Sequence, residues 1–257
     1  MVIDVHIHYV DEKDYLERLL EATSAVGIDK LCLSSSGPHY LHVGNNKIKE
    51  AFLKYPDRVL GFGFVDLGKD KPELVKELAE DGFKGLKIIK PAADYDDQQF
   101  YPVYEKAQAY GLPILFHTGI VQRMPNDHEA DVSSNRMRPI YLDTIARAFP
   151  ELTIIGAHLG TPWLQEAAMT ARTNPNVYFD ITGSPYGGWR SVMTAEDYKK
   201  LFYWENAFEK IVFGTDVKIE DLPRAKEVYH QVMDSLDLPK ETRSKILGRT
   251  MANILKI

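Results

Sequence analysis

The feature that most constrains the fold is a regular alternation of short apolar segments with amphipathic helical patterns along the whole chain. Apolar or period-two runs predict strands near residues 2–8, 29–35, 59–66, 84–89, 112–117, 152–157, 176–181 and 211–216. Helical spacing of apolar residues predicts helices near 12–26, 44–55, 71–81, 99–110, 138–149, 162–173, 195–209, 222–236 and 241–255. Strands that alternate with helices pair in parallel, because each helix carries the chain back to the same end of the sheet.

Eight such units favour closure of the sheet into a barrel over an open sheet. The chain has 257 residues, and one eight-stranded barrel takes roughly 250. A dinucleotide-binding open sheet would carry a G-x-G-x-x-G turn after its first strand, and this sequence has none there. We therefore predict an α/β protein that forms a single (β/α)8 TIM barrel, with one domain over residues 1–257.

Composition and charge narrow the classes of partner. The formal net charge is −6, and Lys and Arg are scattered, which argues against nucleic acid or an anionic membrane as the main partner. No apolar run is long enough to span a bilayer, and the N-terminus shows no signal-peptide pattern, so we expect a cytoplasmic protein. The single cysteine, Cys32, lies in the apolar run K-L-C-L-S and is predicted to be a buried structural thiol. A small-molecule substrate is the expected partner. The sequence does not decide the oligomeric state. In a homo-oligomer, Tyr203 or Trp204 would be the candidate contact surface.

Polar residues follow the predicted strands. His6 and His8 alternate within the first run, and His117, His158 and Asp216 end the runs P-I-L-F-H, T-I-I-G-A-H and I-V-F-G-T-D. Because the carboxyl ends of barrel strands meet at one rim, we expect these five side chains to lie close together.

The first strand has its own face prediction. Side chains alternate along a strand, so Asp4, His6 and His8 are expected on one face. The apolar Ile3, Val5 and Ile7 are then expected on the other face. Two imidazoles on one face can chelate one ion.

Imidazole and carboxylate groups in this arrangement indicate a divalent metal site formed by His6, His8, His117 and Asp216. One ion is expected, zinc first, with manganese or another divalent ion as alternatives. Any one histidine alone is better explained as a hydrogen-bonded core or surface residue. Asp216 alone could equally be a helix N-cap, but a ligand or proton acceptor is the preferred role. Four such residues together at strand ends make the metal site the preferred interpretation.

His158 and Asp216 are the candidate catalytic residues. Beside a metal-activated water, Asp216 would pass a proton to the leaving group and His158 would act as an acid or base or steady an oxyanion. A fourth structural ligand, or a residue that orients another ligand, is the alternative for His158.

Two connections are longer than usual and follow strands, so both are candidate lids over the rim. In residues 118–137, Arg123 and His128 are read either as a cationic cover over an anionic substrate or as a solvated surface. In residues 182–194, Tyr186 and Trp189 either form an aromatic wall for the substrate or simply pack within the loop.

Lys87 lies on the fourth predicted strand and alternates with Gly85 and Ile89. It is expected to point into the barrel, either as a partner for a substrate carboxylate or as a member of a buried ion pair. His39 and His42 follow the second strand, and there a turn with incidental histidines is preferred over residues that line the rim.

The chain also resembles the amidohydrolase superfamily, in the branch of aminocarboxymuconate semialdehyde decarboxylase and the amidohydrolase-2 type metal-dependent hydrolases. The resemblance rests on D-V-H-I-H, G-F-K-G-L-K-I, P-I-L-F-H-T-G, A-H-L-G-T-P-W, N-V-Y-F-D-I-T-G, F-G-T-D and G-R-T-M-A-N-I-L-K-I. It implies a barrel and a metal, often zinc, bound by the residues matching His6, His8 and His117. It also implies that Asp216 binds the metal or takes a proton from its water, and that His158 is an acid or base. In two-metal relatives a carboxylated lysine on the fourth strand bridges the ions, whereas this branch usually works with one.

Three functions compete. The first is a metal-dependent hydrolase of an ester, lactone or amide of a small, carboxylated molecule. The second is a metal-dependent, non-oxidative decarboxylase of an unsaturated or aromatic acid. The third is a non-catalytic binding barrel, because a fold alone does not prove an activity.

Overall fold

Eight parallel strands form one sheet whose order follows the chain. The computed structural model describes residues 1–183 and 193–257. The strands are β1 Ile3–His8, β2 Lys30–Ser34, β3 Val59–Phe64, β4 Gly85–Ile88, β5 Ile114–Phe116, β6 Ile154–Gly156, β7 Val177–Asp180 and β8 Ile211–Val212. Each strand pairs in parallel with the next. The predicted (β/α)8 architecture is confirmed.

Backbone hydrogen bonds join the last strand to the first. The Val5 amide donates to the Phe213 carbonyl over 3.0 Å, and the Asp216 amide donates to the His6 carbonyl over 2.7 Å. The second bond places Asp216 directly beside His6, although 210 positions separate them in the sequence.

The described helices lie between the strands and after the last one. They are α1 Tyr15–Ala25, α2 Asn45–Lys54, α3 Glu73–Glu80, α4 Tyr101–Ala109, α5 Tyr141–Ala148, α6 Leu164–Thr173, α7 Ala195–Leu201, α8 Leu222–Ser235, α9 Lys240–Ser244 and α10 Thr250–Leu255.

Two predicted helices were too long. The helix predicted over 195–209 ends at Leu201, because the backbone of Phe202 leaves the helical region. Asn206 then adopts a left-handed conformation before a short 3-10 turn. The helix predicted over 241–255 is interrupted at Gly248, whose backbone leaves the helical region. A Cβ at Gly248 would lie 2.6 Å from the Met1 carbonyl oxygen, so only glycine allows the chain to approach the start of β1 there.

The predicted faces of β1 are correct at one end of the strand only. Ile3 and Val5 pack inside the barrel with Cys32, whereas Ile7 packs in the layer between the strands and the helices. The pairing of β1 with β2 shifts register between Asp4 and Ile7, and such an irregularity breaks the alternation of side chains. Ile3 and Val5 therefore do not share the face of Ile7, and the prediction was wrong for them.

Two further predictions concern the burial of Cys32 and the membrane-spanning segments. Cys32 is fully buried, as expected for a structural thiol. Within residues 1–183 and 193–257, no helix is long and apolar enough to cross a bilayer.

Candidate active site

Residues that follow different strands converge at the carboxyl end of the barrel. They line one cavity of about 700 Å³, into which the sequence-predicted ligands His6, His8, His117 and Asp216 all project. His158 lies beside this group, with its Nε2 3.5 Å from an Asp216 oxygen. The structure thus brings together all five strand-end residues that the sequence singled out.

Asp180 fixes the orientation of His6. This buried carboxylate, the last residue of β7, accepts a hydrogen bond from His6 Nδ1 over 2.8 Å. Because a carboxylate can only accept, the proton of His6 is assigned to Nδ1 and the Nε2 atom keeps a free lone pair. Carboxylates that orient a metal-binding histidine in this way are a common feature of metal sites.

Ser34 does the same for His8. The Ser34 hydroxyl donates to the Ile7 carbonyl over 3.3 Å and lies 3.1 Å from His8 Nδ1. Because its single proton is used on Ile7, the hydroxyl accepts from His8 Nδ1, and His8 Nε2 keeps its lone pair. That Nε2 atom lies 3.2 Å from Asp216 Oδ1.

Asp180 also organises His158, through Thr182. The Thr182 hydroxyl donates to Asp180 Oδ1 over 2.6 Å and lies 2.6 Å from His158 Nδ1. The hydroxyl has one proton, so it must accept from His158 Nδ1, and the lone pair of the neutral ring is on Nε2. Asp180 Oδ1 also accepts the backbone N–H of His158 over 2.7 Å.

The Nε2 atoms of His6 and His8 and the Asp216 carboxylate are all acceptors. Because acceptors repel one another at close range, this cluster is stabilised by a cation between them. The Nε2 lone pairs of His6 and His8 lie 3.8 and 3.2 Å from the same Asp216 oxygen. Two ligands of one tetrahedral zinc ion, each at about 2.1 Å, lie about 3.4 Å apart. The donor set and its spacing therefore fit a divalent metal held by His6, His8 and Asp216.

His117 lines the same cavity. Its Nε2 atom is buried and has no hydrogen-bond partner among the described residues. An unpaired buried nitrogen is costly unless a ligand takes it up. Burial and the neighbouring His158 lower the pKa of His117 well below its ordinary value, so the ring is neutral and able to bind a metal.

Lys87 is a buried cation close to His6. Its Nζ donates to His6 Nε2 over 2.9 Å, and the side chain is fully buried. No carboxylate within the described part of the chain forms a salt bridge with it, so the expected buried ion pair is not found. Lys87 and a metal would use the same His6 lone pair, and a metal bound there would release the Lys87 amine.

The electrostatics favour the metal-binding forms at neutral pH. Burial and Lys87 lower the pKa of His6 to about 4, and burial lowers the pKa of Lys87 to about 8. Burial by itself would raise the pKa of Asp216, but its interactions with the protonated forms of His6 and His8 hold that pKa well below its usual range. At neutral pH, His6 and His117 are therefore neutral imidazoles and Asp216 is an ionised carboxylate.

Two residues of this cluster have a left-handed backbone conformation. His158 and Asp216 have positive φ angles of 60° and 47°, a conformation that costs a residue with a Cβ of order 1 kcal/mol or more. The Asp180 bond to the His158 amide and the His6 carbonyl bond to the Asp216 amide hold these conformations. Both side chains are thereby aimed at the cavity.

Sequence reasoning assigned no role to Asp180 and Thr182. The signal was present, because Asp180 ends an apolar run, V-Y-F-D, as the predicted ligands do. The alternation along β1 also predicted Asp4 on the face of His6 and His8, and this prediction was wrong. Asp4 does not line the described cavity, and its carboxylate accepts the backbone N–H groups of His6 and Thr215.

The predicted substrate residues are placed as follows. The loop over 118–137 reaches the cavity through Val121, Gln122 and Met124. Arg123 and His128 are exposed and do not line the described part of the cavity. Tyr186 and Trp189 lie outside the described residues.

Comparisons with known proteins bear on the family and the fold of the chain. A family model described as amidohydrolase matches residues 3–257. No curated protein matches the sequence significantly.

Solved structures share the fold at low sequence identity. An uncharacterised TIM-barrel protein from Bordetella bronchiseptica is 18% identical, with a TM-score of 0.73 and coverage of 99% of this chain and 98% of that one. The 5-carboxyvanillate decarboxylase of Sphingomonas paucimobilis is 16% identical, with a TM-score of 0.67 and coverage of 100% and 99%. A probable 2-pyrone-4,6-dicarboxylic acid hydrolase from Acinetobacter baumannii is 14% identical, with a TM-score of 0.69 and coverage of 100% and 99%.

Proposed function

Because the chain belongs to the amidohydrolase family, we propose that it is a metal-dependent hydrolase of an ester, lactone or amide bond in a small, carboxylated molecule. The observation that carries the proposal is the double role of Asp216. One of its oxygens faces the lone pairs of His6 and His8, and the other faces His158 Nε2. The metal ligands and the acid or base therefore meet on one carboxylate.

The metal is proposed to be one divalent ion, zinc first, held by His6, His8, His117 and Asp216. When bound, such an ion acts as a Lewis acid that makes water a nucleophile at neutral pH and polarises a carbonyl oxygen. The protein contributes the geometry of the ligands and the proton transfers.

Proton transfer is proposed to run between Asp216 and His158. Burial lowers the pKa of His158, so the ring is neutral at pH 7. Its Nε2 lone pair and the Asp216 oxygen are both acceptors 3.5 Å apart, an arrangement that is stabilised when one proton is shared between them. A proton taken up there can be returned to the leaving group. Thr182 holds His158 in the tautomer that this transfer requires.

Lys87 supports a carboxylated substrate. Its amine is buried at the floor of the cavity and has no carboxylate partner in the described structure. A substrate carboxylate placed there would compensate the buried charge.

A non-oxidative decarboxylase is the second candidate, and the same lysine favours it. Decarboxylation needs a cation that holds the substrate carboxylate beside the metal, and Lys87 Nζ lies 2.9 Å from a proposed metal ligand. Two similar structures bear the names of 5-carboxyvanillate decarboxylase and 2,6-dihydroxybenzoate decarboxylase. The reaction is therefore the first property to measure.

The test is a parallel screen of the zinc-loaded and the chelator-treated protein. Lactones, carboxylic esters and amides are assayed by acid release, and hydroxybenzoates by release of carbon dioxide. We expect acid release that requires the metal and falls at least 10³-fold in Asp216→Asn and His158→Asn. The exposed His230 on α8 supplies a matched control, His230→Asn, with wild-type turnover.

Other outcomes separate the competing functions. Carbon dioxide release without acid release would replace the hydrolase by the decarboxylase. Turnover that survives both Asp216→Asn and His158→Asn would contradict the proposed site. Metal binding with no turnover of any tested class would favour a binding barrel.

A further inference from the structure

The segment after β2 forms one wall of the cavity. This wall comprises Tyr40, Leu41 and His42, which follow a short turn over Pro38–Tyr40. The proposed metal site uses none of these residues. Two of them carry polar groups whose hydrogen bonding is incomplete.

His42 presents a fixed donor. Its Nδ1 accepts the backbone N–H of Ser36 over 3.1 Å, so the ring proton of the neutral imidazole is on Nε2. The ring stacks on His8 with centroids 4.6 Å apart and planes 23° apart. No residue of the described chain accepts a hydrogen bond from Nε2, so this N–H group is available to a ligand in the cavity.

Tyr40 supplies a second polar group. Its hydroxyl is buried and has no hydrogen-bond partner among the described residues. Its ring is held between the Lys90 ammonium, 4.7 Å from the ring centroid, and the His42 ring, 6.1 Å away. A buried hydroxyl without a partner is unfavourable, and a ligand oxygen or N–H group would satisfy it.

We propose that Tyr40 and His42 form a subsite that binds an oxygen substituent of the substrate beside His8, on the wall of the cavity. This inference rests on the proposed function, which places the reacting group near Asp216 and Lys87. The two groups of the subsite are neutral, so they recognise a hydroxyl, carbonyl or ether oxygen without needing a second anionic group. The substrate class is thus a small acid or acid derivative with a further oxygen substituent.

The size of the cavity agrees with a substrate that reaches both Lys87 and the subsite formed by Tyr40 and His42. Its volume of about 700 Å³ is well within the range of sites for molecules larger than a simple acid. Apolar side chains also line the cavity, among them Ile89, Val121 and Met124. A substrate with an apolar or aromatic body and oxygens at both ends matches these surfaces.

The experiment uses simple probes on the zinc-loaded protein. Benzoate tests the floor alone, phenol tests the subsite alone, and 3- and 4-hydroxybenzoate test both together. Dissociation constants are measured by calorimetry or ligand-observed NMR for wild type, Tyr40→Phe and His42→Phe. The phenylalanine at position 42 keeps a flat ring over His8. Tyr9→Phe is the matched control, because Tyr9 does not line the described cavity.

We expect at least one hydroxybenzoate to bind wild type about fivefold more tightly than benzoate, as one added hydrogen bond predicts. This preference should vanish in Tyr40→Phe and in His42→Phe and persist in Tyr9→Phe. Phenol binding should weaken in the same two variants. The nearly isosteric Tyr40→Phe keeps the test decisive if His42→Phe is unstable.

Contrary results separate the two proposals. Equal affinities for benzoate and both hydroxybenzoates in wild type, or a preference that survives in both variants, would overturn the subsite. Benzoate binding that is unaffected by zinc removal and by Lys87→Met would contradict the proposed floor. In that case, phenol binding that depends on Tyr40 and His42 would still support the subsite, and phenol binding that does not would overturn it.

Discussion

The two ends of the barrel are built on opposite principles. At the carboxyl end, the buried polar side chains of His6 and Lys87 line the cavity, and the buried Asp180 carboxylate lies behind His6. At the amino end, Ile3 and Met251 belong to a fully apolar cluster. The barrel therefore obtains much of its stability from one end and holds its chemistry at the other.

The difference extends to how polar groups are satisfied. At the carboxyl end, His117 Nε2 has no partner in the described structure, and His158 and Asp216 adopt strained backbone conformations. At the amino end, the Lys210 ammonium donates to two backbone carbonyls, of Asn174 and Pro175, each at 2.9 Å. The buried His117 Nε2, which has no partner among the described residues, thus contrasts with the paired ammonium of Lys210.

The largest expected effect is loss of the bound metal when two of its proposed ligands at the carboxyl end are removed. In the double variant His6→Ala/His8→Ala, we expect bound metal to fall from about one ion per chain to none, because two of the proposed ligands are lost. Elemental analysis measures the metal, and thermal unfolding of metal-free wild type and variant shows whether the fold is kept. Metal that remains at wild-type stoichiometry would refute the proposed site.

Shortening an apolar side chain at the amino end should lower stability and leave the metal content unchanged. Met251→Ala is expected to lower the free energy of unfolding by about 2–4 kcal/mol, because it leaves a cavity in the apolar cluster. Metal stoichiometry should not change. Met169 on α6 is 40% exposed, and Met169→Ala should change stability by less than about 0.5 kcal/mol. A loss of metal in Met251→Ala would mean that the two ends are not independent.

A change behind the ligands should weaken the metal site without removing a ligand. In Asp180→Asn, the amide no longer enforces the Nδ1–H tautomer of His6, so zinc affinity should fall by about 10–100-fold. Competition with a chelator of known affinity measures the change. An unaltered zinc affinity would show that Asp180 does not control the ligand.

The smallest expected effect concerns the pH dependence of stability at the amino end. Burial lowers the pKa of Lys210 to about 8, whereas in the unfolded chain it is about 10.4. Between these values the unfolded chain binds the extra proton, so Lys210 should make stability rise with pH in this window. After allowance for solvent screening, the rise should be about 1 kcal/mol relative to Lys210→Met. Parallel denaturant titrations at pH 7.5 and 10.5 would reveal it, and identical slopes with pH in both proteins would contradict it.

The extent of prediction differs between the fold and the site. The eight-unit alternation and the strand-end residues His6, His8, His117, His158 and Asp216 were all read from local patterns. Periodicity is a local property, and parallel closure carries every strand end to one rim. The bounds of α7 and the interruption before α10 were missed, because Phe202 and Gly248 act through tertiary contacts and backbone conformation.

The sequence by itself therefore determined the barrel, its order and the set of polar residues at its mouth. Only the tertiary structure decided the rest: the register shift in β1, the partner of Lys87, the tautomers of His6 and His158, and the wall formed by Tyr40 and His42. These features depend on contacts between residues far apart in the chain, such as His6 with Asp180, 174 positions away, and Asp4 with Thr215, 211 positions away. No local pattern encodes such a contact, because its geometry exists only once the barrel has closed.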